Sequence, residues 1–200
     1  MKATIAKALF HSHSYSEYRK LVSDLLLEGK STGNEQSENL THYSSLNVTR
    51  MDRLDKTIKI PDENILKLKN LGNHYIWLVI SEGWCGDAAQ IMPVLNKMVI
   101  ASEDKIEMKI VLRDENEELM KLFLTNKKKA IPKLIIIDRE TGSVLDSWGP
   151  RPKGATDLIN DYKKKFGVID EKVKTELQLW YLKDKGLSTQ NEVIDLMQNN

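Results

Sequence analysis

The sequence predicts an α/β chain in which a central mixed sheet is flanked by helices, with helical extensions at both ends. Three observations carry this. Two apolar strand runs, Tyr75 to Ile80 and Ile106 to Leu112, are separated by a helical stretch. Two more, Leu134 to Ile137 and Val144 to Trp148, flank a short loop, Asp138 to Gly142, that contains the glycine expected of a hairpin. Outside this region the apolar residues recur only at helical intervals.

Each element has a local cause. Ser14 and Glu17 stand in capping-box spacing, and Tyr18, Leu21, Val22, Leu25 and Leu26 follow at helical intervals, which predicts a helix ending near Gly29. Lys30 to Asn39 is rich in Ser, Gly, Asn and Glu and reads as a linker, before a second helix running to about Leu54. After the first strand, Gly83 marks a turn into a helix that extends to about Ala101. Two strands joined through such a helix pair in parallel by a right-handed crossover. Asp114 and Glu117 are placed to cap the next helix, through Leu119, Leu122 and Phe123. The hairpin is antiparallel, and Thr156 to Phe166 reads as a closing helix with Leu158, Ile159 and Tyr162 on one face. Two amphipathic helices end the chain, one with Val173, Leu177 and Trp180 and one with Thr189 and Glu192 in capping-box spacing. The expected division is a helical extension over 1–58, the α/β domain over 59–166 and a second helical extension over 167–200.

Composition narrows the function. The 200 residues are 40% hydrophobic and 30% charged, enough apolar material for a core and enough charge for a solvated surface. Thirty basic against 29 acidic residues leave a net charge of +1, which supplies no general field for nucleic acid or an anionic membrane. The lysine runs 127–129 and 163–165 have no interleaved aromatics for base stacking. Lys7 interrupts the first apolar stretch, so no signal-peptide core is expected, and no run approaches the roughly 20 apolar residues of a membrane span. The single cysteine fits a reducing compartment. A cytoplasmic protein without nucleic-acid or membrane partners is expected.

Cys85 is the residue best placed for chemistry, because it follows a strand and opens a helix, in the run Ser81 to Gln90. Amides and the dipole at a helix N-terminus favour a thiolate. A free cysteine is otherwise most often a small buried hydrophobe. Trp84-Cys85-Gly86 at this junction resembles the first half of the W-C-G-P-C motif of the thioredoxin family. Pro93, eight residues after Cys85, matches the proline of that family's active-site helix. Ile131-Pro132 before an apolar strand resembles its cis-proline turn, and Gly149 its glycine before the final helix. The resemblance covers about residues 60–165 and implies a thioredoxin-like fold. It also implies a catalytic Cys85, with Trp84, Ile131 and Pro132 forming the docking surface for a protein or small-molecule thiol or disulfide.

The departures from that pattern matter as much. Ala88 stands where the resolving cysteine would be, so a mixed disulfide at Cys85 needs an external thiol for release. Asp87 replaces the motif proline and opposes a neighbouring thiolate by like charge, and Val79 stands where thioredoxin has a buried acid. Asp87 is therefore a candidate modulator. His11 and His13 lack a third ligand, and His42 and His74 are isolated in sequence, so neither a metal nor any other cofactor is expected. Two functions follow: monothiol exchange in redox homeostasis through Cys85, or a redox-inactive module that binds a protein or peptide partner.

Overall fold

The computed structural model describes residues 1–198. Four helices come first: α1 (Lys2–Phe10), α2 (Tyr15–Leu27), α3 (Glu38–Thr57) and α4 (Asp62–Lys69). Strand β1 (Tyr75–Ser81), helix α5 (Gly86–Ala101) and strand β2 (Ile106–Leu112) form the parallel unit. Helix α6 (Glu117–Leu122) leads to strands β3 (Lys133–Asp138) and β4 (Val144–Trp148). The chain closes with α7 (Lys153–Phe166), α8 (Glu171–Asp184) and α9 (Leu187–Gln198).

The sheet order is β2-β1-β3-β4. β1 pairs in parallel with β2 and antiparallel with β3, and β3 pairs antiparallel with β4, so the mixed α/β sheet expected from the sequence is present. Val79 lies opposite Ile110 on one side and Leu134 on the other. A strand paired on both edges and covered on both faces reads as an unbroken apolar run, which is why β1 and β3 show no polar alternation. The N-terminal segment is tied to the sheet edge, where His13 and Ile110 exchange two backbone hydrogen bonds of 2.8 Å.

The segments before and after the sheet share its core. Tyr18 and Val22 of α2, Leu54 of α3, Val173, Leu177 and Tyr181 of α8, and Val193, Ile194 and Met197 of α9 are buried in one cluster with the strands. The Tyr18 hydroxyl lies 3.1 Å from that of Ser81 at the end of β1. Ser14 caps α2 as expected: its hydroxyl accepts from the Glu17 amide, and the Glu17 carboxylate accepts from the Ser14 amide.

Two expected caps are corrected. Asp114 does not cap α6, whose N-cap is Asn116 without a side-chain bond. Its carboxylate accepts instead from Arg113 Nε at 2.8 Å and from the Asn34 amide at 3.2 Å, partners that outcompete a helix end three residues away. Thr189 lies buried inside α9, whose first turn is held by Asp184 accepting from the Ser188 amide. Glu192 points elsewhere, accepting from Trp148 Nε1 and from the Lys153 amide at the start of α7, each at 2.8 Å. Two long-range donors, the Trp148 indole at the end of β4 and the first amide of α7, thus take the carboxylate from the local box.

Candidate functional site around Cys85

β1 ends at Ser81 and the chain turns through Glu82, Gly83 and Trp84, a turn closed by the Cys85 amide donating to Glu82 O at 3.1 Å. Neighbouring elements fix that turn from outside. The Gly83 amide donates to Thr32 Oγ1 at 2.8 Å, and Asn47 Nδ2 of α3 donates to Gly83 O at 2.9 Å. A Cβ on Gly83 would sit 3.0 Å from Val22, so the close approach of α2 favours glycine here.

Cys85 is the N-cap of α5. Its Sγ accepts from the Ala88 amide at 3.5 Å and donates to Ile131 O at 3.3 Å. The helix tip and the Ile131–Pro132 turn, distant in sequence, therefore meet at the sulfur. Both the Ile131–Pro132 and the Gly149–Pro150 peptides are cis. Gly149 (φ +107) lies over Pro132, so close that a Cβ there would fall 2.4 Å from Pro132 O. Only glycine fits both that backbone and that distance.

Cys85 is 8% exposed. Burial pushes its thiol up to about 12, and the Asp87 carboxylate adds to the rise. The amides of Ala88 and Asp87, and the Arg151 guanidinium, act in the opposite direction without overcoming it. The helix terminus does favour the thiolate, as the sequence suggests, but desolvation is the larger effect.

Asp87 is also largely buried and has both carboxylate oxygens engaged. Tyr181 of α8 donates its hydroxyl to Oδ1 at 2.9 Å, and Arg151, in the β4–α7 connection, places Nη2 2.6 Å from Oδ2. Burial and the facing Asp87 together raise the Tyr181 hydroxyl well above its ordinary value, so it remains a donor. Asp87 is thus the centre of a tyrosine–carboxylate–guanidinium cluster beside the thiol. Sequence reasoning singled out Asp87 but not Tyr181 or Arg151, whose roles depend on where α8 and the β4–α7 loop pack.

A groove of about 480 Å³ opens over this cluster. Its floor is Trp84 to Asp87 with Arg151, one wall is α3 (Leu40, Tyr43, Leu46, Asn47, Arg50), and the other is α8 between Glu171 and Gln178. Two helices from segments expected to be extensions thus enclose the site. Trp84 and Cys85 face the groove, with Arg113 Cζ 4.8 Å from the centre of the Trp84 ring. Ile131 and Pro132 are buried and do not line it. Among the described residues, no three His, Cys, Asp or Glu side chains gather as metal ligands, and no helix is long and apolar enough to cross a membrane.

Comparison with known proteins agrees with this architecture. A family model described as thioredoxin matches residues 33–163, which takes in α3 and the whole sheet. A crystal structure of PA1234, a protein of unknown function from Pseudomonas aeruginosa, is similar at a TM-score of 0.60 and 17% identity, over 94% of this chain and 98% of that one. An HIV epitope-scaffold of the 4E10 series is similar at a TM-score of 0.57 and 18% identity, over 94% and 99% of the two chains. At such identities the likeness is one of fold, and at 94% of the chain it reaches well beyond the sheet. No curated protein matches the chain.

Proposed function

We propose that this chain, which belongs to the thioredoxin family, is a binding module: the groove between α3 and α8 receives a partner, and Cys85 meets it as a neutral thiol. One observation carries this reading. The reactive position of the fold is occupied by a desolvated thiol that donates to Ile131 O and has an acid beside it.

The magnitudes favour binding over exchange. With a thiol near 12, only about 10⁻⁵ of Cys85 is thiolate at neutral pH, against roughly 3% for an ordinary cysteine. A more basic thiolate is intrinsically more nucleophilic, which recovers about 40-fold, so attack remains slower than that of a free thiol by about 100-fold. Ala88 provides no resolving sulfur. Ile131 spends its carbonyl on the thiol, so adding a peptide strand at that turn has a cost.

The second reading is monothiol exchange in redox homeostasis, with an external thiol releasing the mixed disulfide. It is favoured by the position of Cys85 on the groove floor, at the tip of α5 and opposite Ile131–Pro132. A cytoplasmic location fits either reading, given one cysteine in the whole chain.

A fragment screen by amide NMR separates the two. The binding reading expects fragments to perturb Trp84 to Asp87 together with Asn47 and Gln178, equally in wild type and Cys85→Ser. If groove ligands vanish in Cys85→Ser while oxidised small thiols form adducts on wild-type Cys85 within minutes at neutral pH, the exchange reading replaces it.

A further inference from the structure

The charges lining the groove do not balance. Arg50, Arg151 and Lys174 face Asp87 and Glu171, three cations against two carboxylates. Arg151 pairs with Asp87 at 2.6 Å and Lys174 with Glu171 at 2.6 Å, which leaves Arg50 without a carboxylate. Asp87, the acid that acts on it electrostatically, has both oxygens taken by Tyr181 and Arg151. Arg50 keeps one protein acceptor, Asn47 Oδ1, which receives from Nη1 at 2.6 Å. Nη1 also lies 3.9 Å from where a Cβ on Gly86 would be, so the guanidinium sits against the first residue of α5, next to Cys85.

Arg50 is only half exposed, and burial followed by the nearby Arg53 charge depresses its pKa. A partly desolvated guanidinium with five donors and one protein acceptor keeps donors free to pair with an anion that enters the groove. Around it the walls are apolar. Tyr43 and Leu46 of α3 are exposed by 43% and 46%, and Leu40, Trp84 and Leu177 continue the surface. A space of about 480 Å³ suits a small molecule and is too confined for the face of a folded protein.

We propose that the groove binds a small organic acid, its carboxylate paired bidentately with Arg50 and its apolar body lying between Tyr43, Leu46 and Leu177. This rests on the binding-module reading and names its ligand class. A planar guanidinium matches a carboxylate in two parallel hydrogen bonds, which gives orientation as well as attraction. The bound acid places its apolar body over Trp84 and Cys85 and needs no covalent bond to the sulfur.

The test uses the full chain with hexanoate and with hexanamide, which share shape and differ in charge, at matched ionic strength. Dissociation constants come from amide shifts of the groove residues, and the Arg50 Nε–H signal reports the pairing directly. The expected result is that hexanoate binds at least tenfold more tightly than hexanamide and shifts the Arg50 signal. Arg50→Gln removes the tenfold preference while the rest of the amide spectrum stays in place, and Arg50→Lys restores part of it. If both probes bind equally in the groove, or Arg50→Gln leaves the preference intact, the acid proposal is overturned and the binding module stands. If neither probe binds in the groove, the acid proposal is likewise overturned, and the fragment screen then decides the binding reading by itself.

Discussion

The reactivity of Cys85 is set by surroundings that pull in different directions: the apolar interior and Asp87 hold the proton on, and Arg151 together with the α5 amides draw it off. Asp87→Asn removes one of the first pair and frees Arg151 from its partner, so alkylation of Cys85 by iodoacetamide at neutral pH is expected to accelerate several-fold. The same change leaves the mostly buried Arg151 unpaired and is expected to cost roughly 2 kcal/mol in urea unfolding, below the full buried-pair value because Arg151 keeps some solvent. A second buried acid makes a pH prediction. Burial raises Glu82, whose Oε1 accepts from the Asp114 amide at 3.0 Å; that hydrogen bond and the Thr32 hydroxyl act in the opposite direction without overcoming it. A carboxylate raised on folding releases its proton more readily in the unfolded chain. Its contribution is therefore stabilising at low pH and is lost as pH rises from the ordinary carboxylate value through the raised one. Glu82→Gln is expected to flatten that fall and to be more stable than wild type at pH 7, measured by urea midpoints across pH. At this scale the sequence exposes Cys85 and Asp87, because a cysteine after a strand and an acid in the first helical turn are local patterns. Arg50, Arg151 and Tyr181 carry no such local pattern, since each gains its meaning from a partner on another element.

Elements meet at this site through contacts that tolerate little change. Gly149→Ala would bring a methyl to 2.4 Å from Pro132 O at a backbone angle of +107°, and a loss of more than about 2 kcal/mol in thermal or urea unfolding is expected. The Glu192 carboxylate joins β4, α7 and α9 by accepting from Trp148 Nε1 and the Lys153 amide. Glu192→Ala strands both donors and is expected to cost about 1–2 kcal/mol, with Glu192→Gln losing less because it keeps acceptor capacity. Strands were legible because β1 from Tyr75 to Ile80 and β3 from Leu134 to Ile137 are unbroken apolar runs, and α2 because Ser14 and Glu17 form the box their spacing announces. Helix α9 was legible in its periodicity but not in its start, since Glu192 bonds across the molecule in place of its own helix end. Helices α1 and α4 have no side-chain N-cap, Met1 preceding one and Pro61 the other, so no local capping pattern marks where they start.

In the whole molecule, the segments outside the sheet are part of the site. α3 and α8 supply both walls of the groove, and Leu54 of α3 and Val173, Leu177 and Tyr181 of α8 belong to the same cluster as the strands. Such a shared core predicts one cooperative transition: Trp180 fluorescence, in a chain with the other tryptophans replaced, and far-UV circular dichroism should give coincident urea curves. The sequence shows the α/β order and the amphipathic character of the terminal helices, but nothing in their periodicity says that they close over Cys85, because a helix face records only that it is buried and not against what. The central claim is that these walls keep the sulfur neutral while presenting it to the groove. It is tested most directly by the pH profile of Cys85 alkylation in the wild-type chain. A rate still climbing tenfold per pH unit at about pH 10, with no plateau, is the result this account predicts, and a plateau reached below about pH 8 would contradict it.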